Sequence, residues 1–350
     1  MKAFVHTVPG QVGFTEKSVP DNPGTNGAII KTRTALLCTS DIHAVDRKVE
    51  ALRNTTLGHE AVGIVHKLGS QVKGLKEGDR VAVSATTPCF RCENCLRGFP
   101  SQCQRMLGGV KFGNSKDGVL AEYFHVNDAE ANLVPIQATI PDEAAVYATD
   151  MMPTGIMGAS NAGIPAGGTV AVFAQGPVGL MATAGARLLG AGLVIAVESI
   201  PKRKALSKQF GADRVVDFIE VDPVKEILRL TEGKGVDSAI ESLGAQNTFE
   251  ACVKVTRPGG TVSVIGYFTK GEYIGIPRAE WGFGMGEKTI RTGLCPGGKE
   301  LMRRMLRLLE TGRVDPSPLT THVFEFSELD RAFRMMKTKA DDIIKPLIRF

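Results

Sequence analysis

The sequence predicts an α/β protein in two parts, a β-rich N-terminal domain followed by a doubly wound parallel sheet. Three observations carry this. Short strand-like runs broken by Gly, Pro and Asp fill the N-terminal third. From Thr169 onward, continuous apolar runs alternate with helical stretches, as buried parallel strands and their crossover helices do. And 350 residues exceed the roughly 250–300 at which a single core stops growing.

In order, residues 2–7 and 11–16 read as a hairpin around Pro9-Gly10, and Gly27 to Thr34 as a strand leading to Cys38. Glu60 to Leu68 and Gly78 to Val83 are further strands, and 119–126 another. Asp142 to Ala148 starts a helix that delivers Asp150. The alternation then runs strand Thr169–Ala174, helix Leu180–Leu189, strand Leu193–Glu198, helix Lys202–Phe210, strand Arg214–Phe218 and helix Pro223–Leu230. Strand Val236–Glu241, helix Asn247–Thr256 and strand Thr261–Gly266 complete it, with Thr289–Leu294 a candidate sixth strand. Helices over Gly298–Glu310 and Leu329–Lys337 and a closing strand Lys345–Phe350 are expected to return to the first domain.

A hydrophobic fraction of 43% and a mean hydropathy of zero describe an ordinary globular protein. Forty glycines against one tryptophan fit a fold with many close backbone approaches. The formal charge is +5. The basic residues are dispersed, without a Lys/Arg run interleaved with aromatics, which argues against nucleic acid as a partner. No signal-like h-region and no run of 18 apolar residues stands in the sequence, so neither export nor a membrane span is expected. Seven cysteines, an odd number, point to a reducing compartment and to metal binding; the expectation is cytoplasmic.

Two metal sites are expected. Cys38, His59 and Asp150 supply the thiolate, imidazole and carboxylate that a catalytic zinc uses, with a further position open, and Glu60 beside His59 is a fourth candidate ligand. Cys89, Cys92, Cys95 and Cys103 follow the pattern C-x2-C-x2-C-x7-C, which lets four sulfurs converge on one ion. An iron–sulfur cluster uses the same ligands. A closed structural zinc is the reading adopted, pinning a loop poor in apolar residues.

The loop Ala174-Gln175-Gly176-Pro177-Val178-Gly179 follows a strand, opens a helix and precedes an acidic residue about 20 positions on, the context of a dinucleotide site. Gly176 lets the backbone approach a pyrophosphate and Gly179 lets the helix pack on the sheet, with Pro177 and Val178 opening the helix. Alanine for the usual first glycine is expected only to narrow the turn. Glu198 can accept hydrogen bonds from both ribose hydroxyls and repels a 2′-phosphate, which favours NAD over NADP. Arg203, close enough to reach a phosphate, is the counter-argument.

With these residues the chain resembles, from end to end, the zinc-dependent medium-chain alcohol dehydrogenases. Gly58-His59-Glu60, the Cys38 segment, the four-cysteine lobe and Gly176-Pro177-Val178-Gly179 carry the likeness. The bacterial secondary-alcohol branch is similar at Cys38-Thr39-Ser40-Asp41-Ile42-His43, at Asp150-Met151-Met152 and at Leu294-Cys295-Pro296-Gly297-Gly298. The resemblance implies a discontinuous GroES-like catalytic domain, residues 1–152 and 296–350, around a Rossmann NAD-binding domain, residues 153–295. It also implies an aspartate as third ligand, a homotetramer or else a homodimer, and reversible hydride transfer between NAD and a neutral alcohol or ketone. It further implies a proton path from Ser40 through the cofactor ribose to His43, and Ser40 can at the same time cap the following turn. Val110, Thr154 and Leu294 would line the substrate pocket, with Tyr267 near the nicotinamide. Two departures stand out: Glu198 replaces the small residues of NADP-using members, and those members lack the lobe's cysteines. Val110, where they carry a bulky aromatic, suggests a roomier pocket. The competing activities are a polyol or threonine dehydrogenase on the same scaffold, or a zinc-free quinone reductase or non-catalytic NAD(P)-binding protein.

Overall fold

The computed structural model describes residues 1–47, 52–105, 112–113 and 116–350. In chain order the strands before the sequence period changes are β1 (Lys2–His6), β2 (Val12–Glu16), β3 (Ala28–Leu36), β4 (Glu60–Leu68), β5 (Arg80–Val83), β6 (Tyr123–Val126) and β7 (Leu133–Pro135). Between them lie the short helices α1 (Thr39–Asp46), α2 (Glu93–Leu96) and α3 (Ala129–Asn132), with α4 (Asp142–Ala145) and α5 (Met151–Asn161) after them. The alternating region supplies β8 (Thr169–Phe173), α6 (Pro177–Leu188), β9 (Leu193–Val197), α7 (Pro201–Gln209), β10 (Arg214–Val216) and α8 (Pro223–Leu230). It continues with β11 (Val236–Glu241), α9 (Gln246–Val255), β12 (Thr256–Val264) and β13 (Thr289–Thr292). The tail holds α10 (Lys299–Glu310), β14 (Thr320–Glu325), α11 (Leu329–Thr338) and β15 (Lys345–Arg349).

Two compact units result. Met1–Pro153 with Cys295–Phe350 forms one and Thr154–Leu294 the other. In the first, a seven-stranded sheet runs β14-β15-β3-β4-β5-β7, with β6 also on β3. The closing strand therefore lies against β3, Leu347 opposite Leu36, while Leu36 also faces Glu60 on β4. This order brings the ends of three segments far apart in sequence to one place.

In the second unit, six parallel strands run β10-β9-β8-β11-β12-β13. Alternate residues of β8 and β9 pack into opposite cores: Ala171, Phe173, Ile195 and Val197 on one face, Val170, Val172, Val194 and Ala196 on the other. Burial on both faces is why these strands read as unbroken apolar runs. The strand order reverses between β8 and β11, where nucleotides bind outside the carboxyl ends of the strands.

Two expectations are corrected, and one helix is added. Residues 119–122 are not strand: Val119 and Leu120 donate to Gly58 and Leu57, and Phe4 to Leu120, so this stretch braces the Gly58 turn instead. The helix begun at Asp142 ends at Ala145, a 3₁₀ turn covers Val146–Thr149, and a new helix starts at Met151. That helix was hidden by Gly155 and Gly158, which allow close approach: a Cβ on Gly155 would lie 2.4 Å from Met181 Cβ, one on Gly158 2.6 Å from Ile265 Cδ1.

Candidate catalytic metal centre and dinucleotide loop

Cys38 is the N-cap of α1, and Asp41, in the helix's first turn, accepts the Cys38 N–H at 2.8 Å. Cys38, not Ser40, is thus the cap. The same Asp41 carboxylate accepts Gly58 N at 3.2 Å and faces His59 Nδ1 at 3.3 Å. Gly58 can make this turn because its φ is +89° and Leu120 fills the space a Cβ would need, its Cγ only 2.5 Å away. Asp41, which the sequence did not single out, therefore orients both the Cys38 segment and the His59 ring. Its signal was present: a carboxylate three residues after a capping cysteine, inside the same motif.

With Nδ1 committed to Asp41, His59 turns Nε2 toward Asp150 Oδ2 at 3.5 Å, Glu60 Oε1 at 3.7 Å and Ser40 Oγ at 3.3 Å. One ligand atom each from Cys38, His59, Glu60 and Asp150 lies within 4.8 Å of the others. Glu60 is fully buried, and its Oε1 accepts from Lys345 Nζ, itself buried, at 2.5 Å. Its other oxygen, Oε2, has no hydrogen-bond partner. Burial disfavours the Cys38 thiolate, but the Lys345 ammonium and His59 outweigh it and hold the thiol down to about 6. Burial likewise opposes charge on His59, yet Asp41 and Asp150 raise its basicity well above that of a free imidazole.

These donors fit a zinc ion. Sulfur, nitrogen and oxygen converge, an imidazole has its far nitrogen fixed by a carboxylate, and a buried carboxylate oxygen lacks a partner. Thiolate, neutral imidazole and aspartate together carry −2, which a dication cancels. Glu60 adds no net charge because Lys345 neutralises it.

The four cysteines of the lobe are all buried and offer sulfurs within 4.8 Å of one another. Cys92 and Cys103 sulfurs are 3.8 Å apart, and the Cys89 N–H donates to Cys103 Sγ at 3.4 Å. The backbone N–H of Cys95 holds Cys92 down to about 6, while burial and the neighbouring thiols push Cys95 up to about 12. Four such sulfurs ionise together only around a cation, so this donor set fits a closed structural site. Asn132 ties it to the domain, donating to the carbonyls of Pro88, Asn127 and Asp128. Cys92→Ala is expected to lose about one zinc per chain and lower thermal stability while costing turnover less than about tenfold, measured by metal analysis, melting and alcohol oxidation.

In the second unit, Gly176 is the N-cap of α6, with Pro177 at its first position and Val178 and Gly179 in its first turn. A Cβ on Gly179 would lie 2.0 Å from Ala174 O, which is why glycine stands there. Ala174 does more than narrow the turn: its φ is +68°, a conformation costing an alanine about 1–2 kcal/mol. Gln175, buried, bonds Val172 O and Thr183. Glu198 is buried at the end of β9 and accepts from the N–H groups of Gln175, Ser199 and Ile200, with Arg203 3.8 Å away. Tyr267 is exposed, beside the Gly244 turn. Thr154 is buried on α5, and Leu294 is half-buried just after β13. Val110 lies outside the described residues.

Comparison with known proteins decides the family. Residues 24–138 match the alcohol dehydrogenase GroES-like domain and residues 177–311 the zinc-binding dehydrogenase domain. The NADP-dependent isopropanol dehydrogenase of Thermoanaerobacter brockii is 48% identical over 350 residues, covering 99% of each chain. The chain belongs to the zinc-containing medium-chain alcohol dehydrogenases, in their secondary-alcohol branch. Within that family, the NADP-dependent isopropanol dehydrogenase of Clostridium beijerinckii is 44% identical over 99% of each chain. Among solved structures, the alcohol dehydrogenase TADH from Thermus sp. ATN1 superposes with a TM-score of 0.90 at 29% identity, covering 100% of this chain and 99% of that one. As in an enzyme with a GroES-like and a Rossmann part, the two large sheets here are one mixed and one wholly parallel. Among the described residues no helix is long and apolar enough to cross a membrane.

Proposed function

We propose that the chain oxidises a neutral secondary alcohol to its ketone with NAD, and reduces the ketone in reverse. The observation that carries this is the convergence of Cys38, His59 and Asp150, beside a neutralised Glu60, in a unit whose Cys38 segment also carries Ser40 and His43. Cys38, His59 and Asp150 would hold the catalytic zinc, leaving Glu60 on Lys345. When bound, zinc supplies a Lewis acid for the alcohol oxygen and the nicotinamide a hydride acceptor for its carbon.

The chain's own residues handle position and proton. Asp41 fixes the His59 ring so that Nε2, not Nδ1, faces the ligand side. Ser40 Oγ lies 3.3 Å from that nitrogen, which supports reading its hydroxyl as the relay that takes the alcohol's proton while giving up its own. His43 follows three residues on along the same helix face, and burial holds its ring below the usual imidazole range. It is therefore neutral at pH 7 and would be the group that finally takes up the proton leaving Ser40.

NAD is preferred on the strength of Glu198. A 2′-phosphate would meet a buried carboxylate, and the nearby Arg203 faces that carboxylate at 3.8 Å. The named NADP-dependent relatives make this the most discriminating test. We assign Gly176 to Gly179 to the diphosphate, Glu198 and Arg203 to the adenosine ribose, and Tyr267 to the nicotinamide end. Val110, Thr154 and Leu294 are assigned to the alcohol. A cytoplasmic homo-oligomer, a tetramer or else a dimer, is the expected working form, and the exposed Tyr273, Phe283 and Met285 fit such burial.

Initial rates on 2-butanol, benzyl alcohol, sorbitol and threonine, each with NAD and NADP, test the reading. The highest kcat/KM is expected for 2-butanol with NAD, and Glu198→Gly is expected to raise NADP use about tenfold or more. A lead for sorbitol or threonine would move the chain to the polyol or threonine dehydrogenases. Faster turnover with NADP in the unaltered chain would overturn the ribose assignment.

A further inference from the structure

The dinucleotide loop carries an alanine where the backbone takes a glycine-like conformation, and something must hold it there. The Ala174 N–H donates to Val197 O at 3.1 Å, and the next N–H, of Gln175, to Glu198 Oε2 at 3.0 Å; both point toward β9. The left-handed φ of Ala174 turns its carbonyl the other way, toward β11. There it accepts from Ser242 Oγ at 2.9 Å, and the same hydroxyl lies 2.8 Å from Phe173 O. The Ser242 N–H adds a bond to Phe173 O at 3.2 Å. Gly179 closes the arrangement: a Cβ on it would sit 2.7 Å from Ser242 Oγ as well as against Ala174 O. Ser242 thus clasps the loop across the point where the strand order reverses.

We infer that Ser242 is a positioning residue for the cofactor. Its hydroxyl latches the left-handed Ala174 peptide and so keeps the Gly176–Gly179 turn, at the N-terminus of α6, in the shape that receives the diphosphate. The inference rests on the reading of this loop as the dinucleotide site. Without the hydroxyl, Ala174 relaxes toward the ordinary right-handed or extended regions and carries the Gln175 N–H off Glu198. The binding-competent fraction of loops falls, and the apparent Kd rises in inverse proportion. Glycine at 174 has no steric reason to relax, so it makes the latch dispensable. This coupling separates the latch from a merely structural serine.

The test is fluorescence titration of NADH into the zinc-loaded full-length protein, with thermal melting in parallel. It compares the unaltered chain, Ser242→Ala, Ser242→Thr, Ala174→Gly and the double variant Ser242→Ala/Ala174→Gly. Ser242→Ala is expected to raise Kd about tenfold, Ser242→Thr to keep it near the starting value, and the double variant to return within about threefold of Ala174→Gly. The same tenfold loss in both backgrounds would overturn the latch, as would an unchanged Kd in Ser242→Ala. Should Ser242→Ala fail to fold, the double variant decides: folding with restored binding upholds the latch, and failure to fold overturns it. An unaltered chain that binds no NADH would instead sink the underlying assignment of the loop, a result distinct from any of these.

Discussion

Replacing Cys38 by serine is expected to lower alcohol oxidation by about a thousandfold or more, equivalent to about 4 kcal/mol of barrier, while NADH still binds. A serine hydroxyl keeps the size of the side chain and the N-cap of α1, but it does not ionise at neutral pH. Cys38 is held ready as a thiolate by Lys345 and His59 against the burial that opposes it. Serine in that position leaves His59 and Asp150 as two donors where a catalytic zinc takes three. The lobe sulfurs of Cys89, Cys92, Cys95 and Cys103 are a separate cluster, so metal content should fall from about two to about one zinc per chain, not to zero. The dinucleotide loop has its own supports in Val197, Glu198 and Ser242, all in the other unit, so the NADH Kd should change less than about threefold. Asp150→Ala should act in the same direction. Retention of both zinc ions and of turnover in the Cys38→Ser protein would remove the basis for the proposed chemistry.

How far such a site can be read from sequence depends on which interactions are local. Four cysteines in fifteen residues announce their own cluster because the spacing alone brings the sulfurs together. The buried strands were equally legible, since a β8 or β9 packed on both faces has no polar position to break the run. Gly58 and His59 could be named as a pair, but not the reason for the glycine, which is Leu120 from a segment that resembles a strand and is not one. Ala174 is the opposite case: the motif is legible, but an alanine in its first position reads as a mild variant, whereas it occupies the left-handed region. Asp41 stands inside the Cys38–His43 motif, yet its role is not legible there, because only the start of α1 aims its carboxylate at His59. Lys345 was the hardest, as nothing in Lys345-Pro346-Leu347 says that β15 will lie against β3 and place an ammonium on Glu60.

That lysine carries the second large prediction: Lys345→Met is expected to destabilise the protein by about 3–5 kcal/mol, the usual cost of removing one partner from a buried ion pair. Both side chains are out of water, at 1% and 0% exposure, so neither charge is hydrated when its partner goes. Burial already pushes the Glu60 carboxyl up, and the opposing pull comes first from Lys345. Methionine fills the volume but leaves Glu60 either an uncompensated anion beside Cys38 and Asp150 or forced to take up a proton. The Cys38 thiolate loses the same cation, so affinity for the catalytic zinc should fall together with stability. Denaturant unfolding of the zinc-loaded and chelator-stripped protein measures both effects. Pairing the change with Glu60→Leu tests the cause, because replacing a whole buried ion pair by apolar groups is often neutral. Recovery of most of the lost stability in Glu60→Leu/Lys345→Met would show that the cost of the single change lies in the stranded carboxylate. A loss below about 1 kcal/mol in Lys345→Met alone would place the pair among weak, solvent-screened contacts, and Glu60 would then be free to act as a zinc ligand at no electrostatic cost.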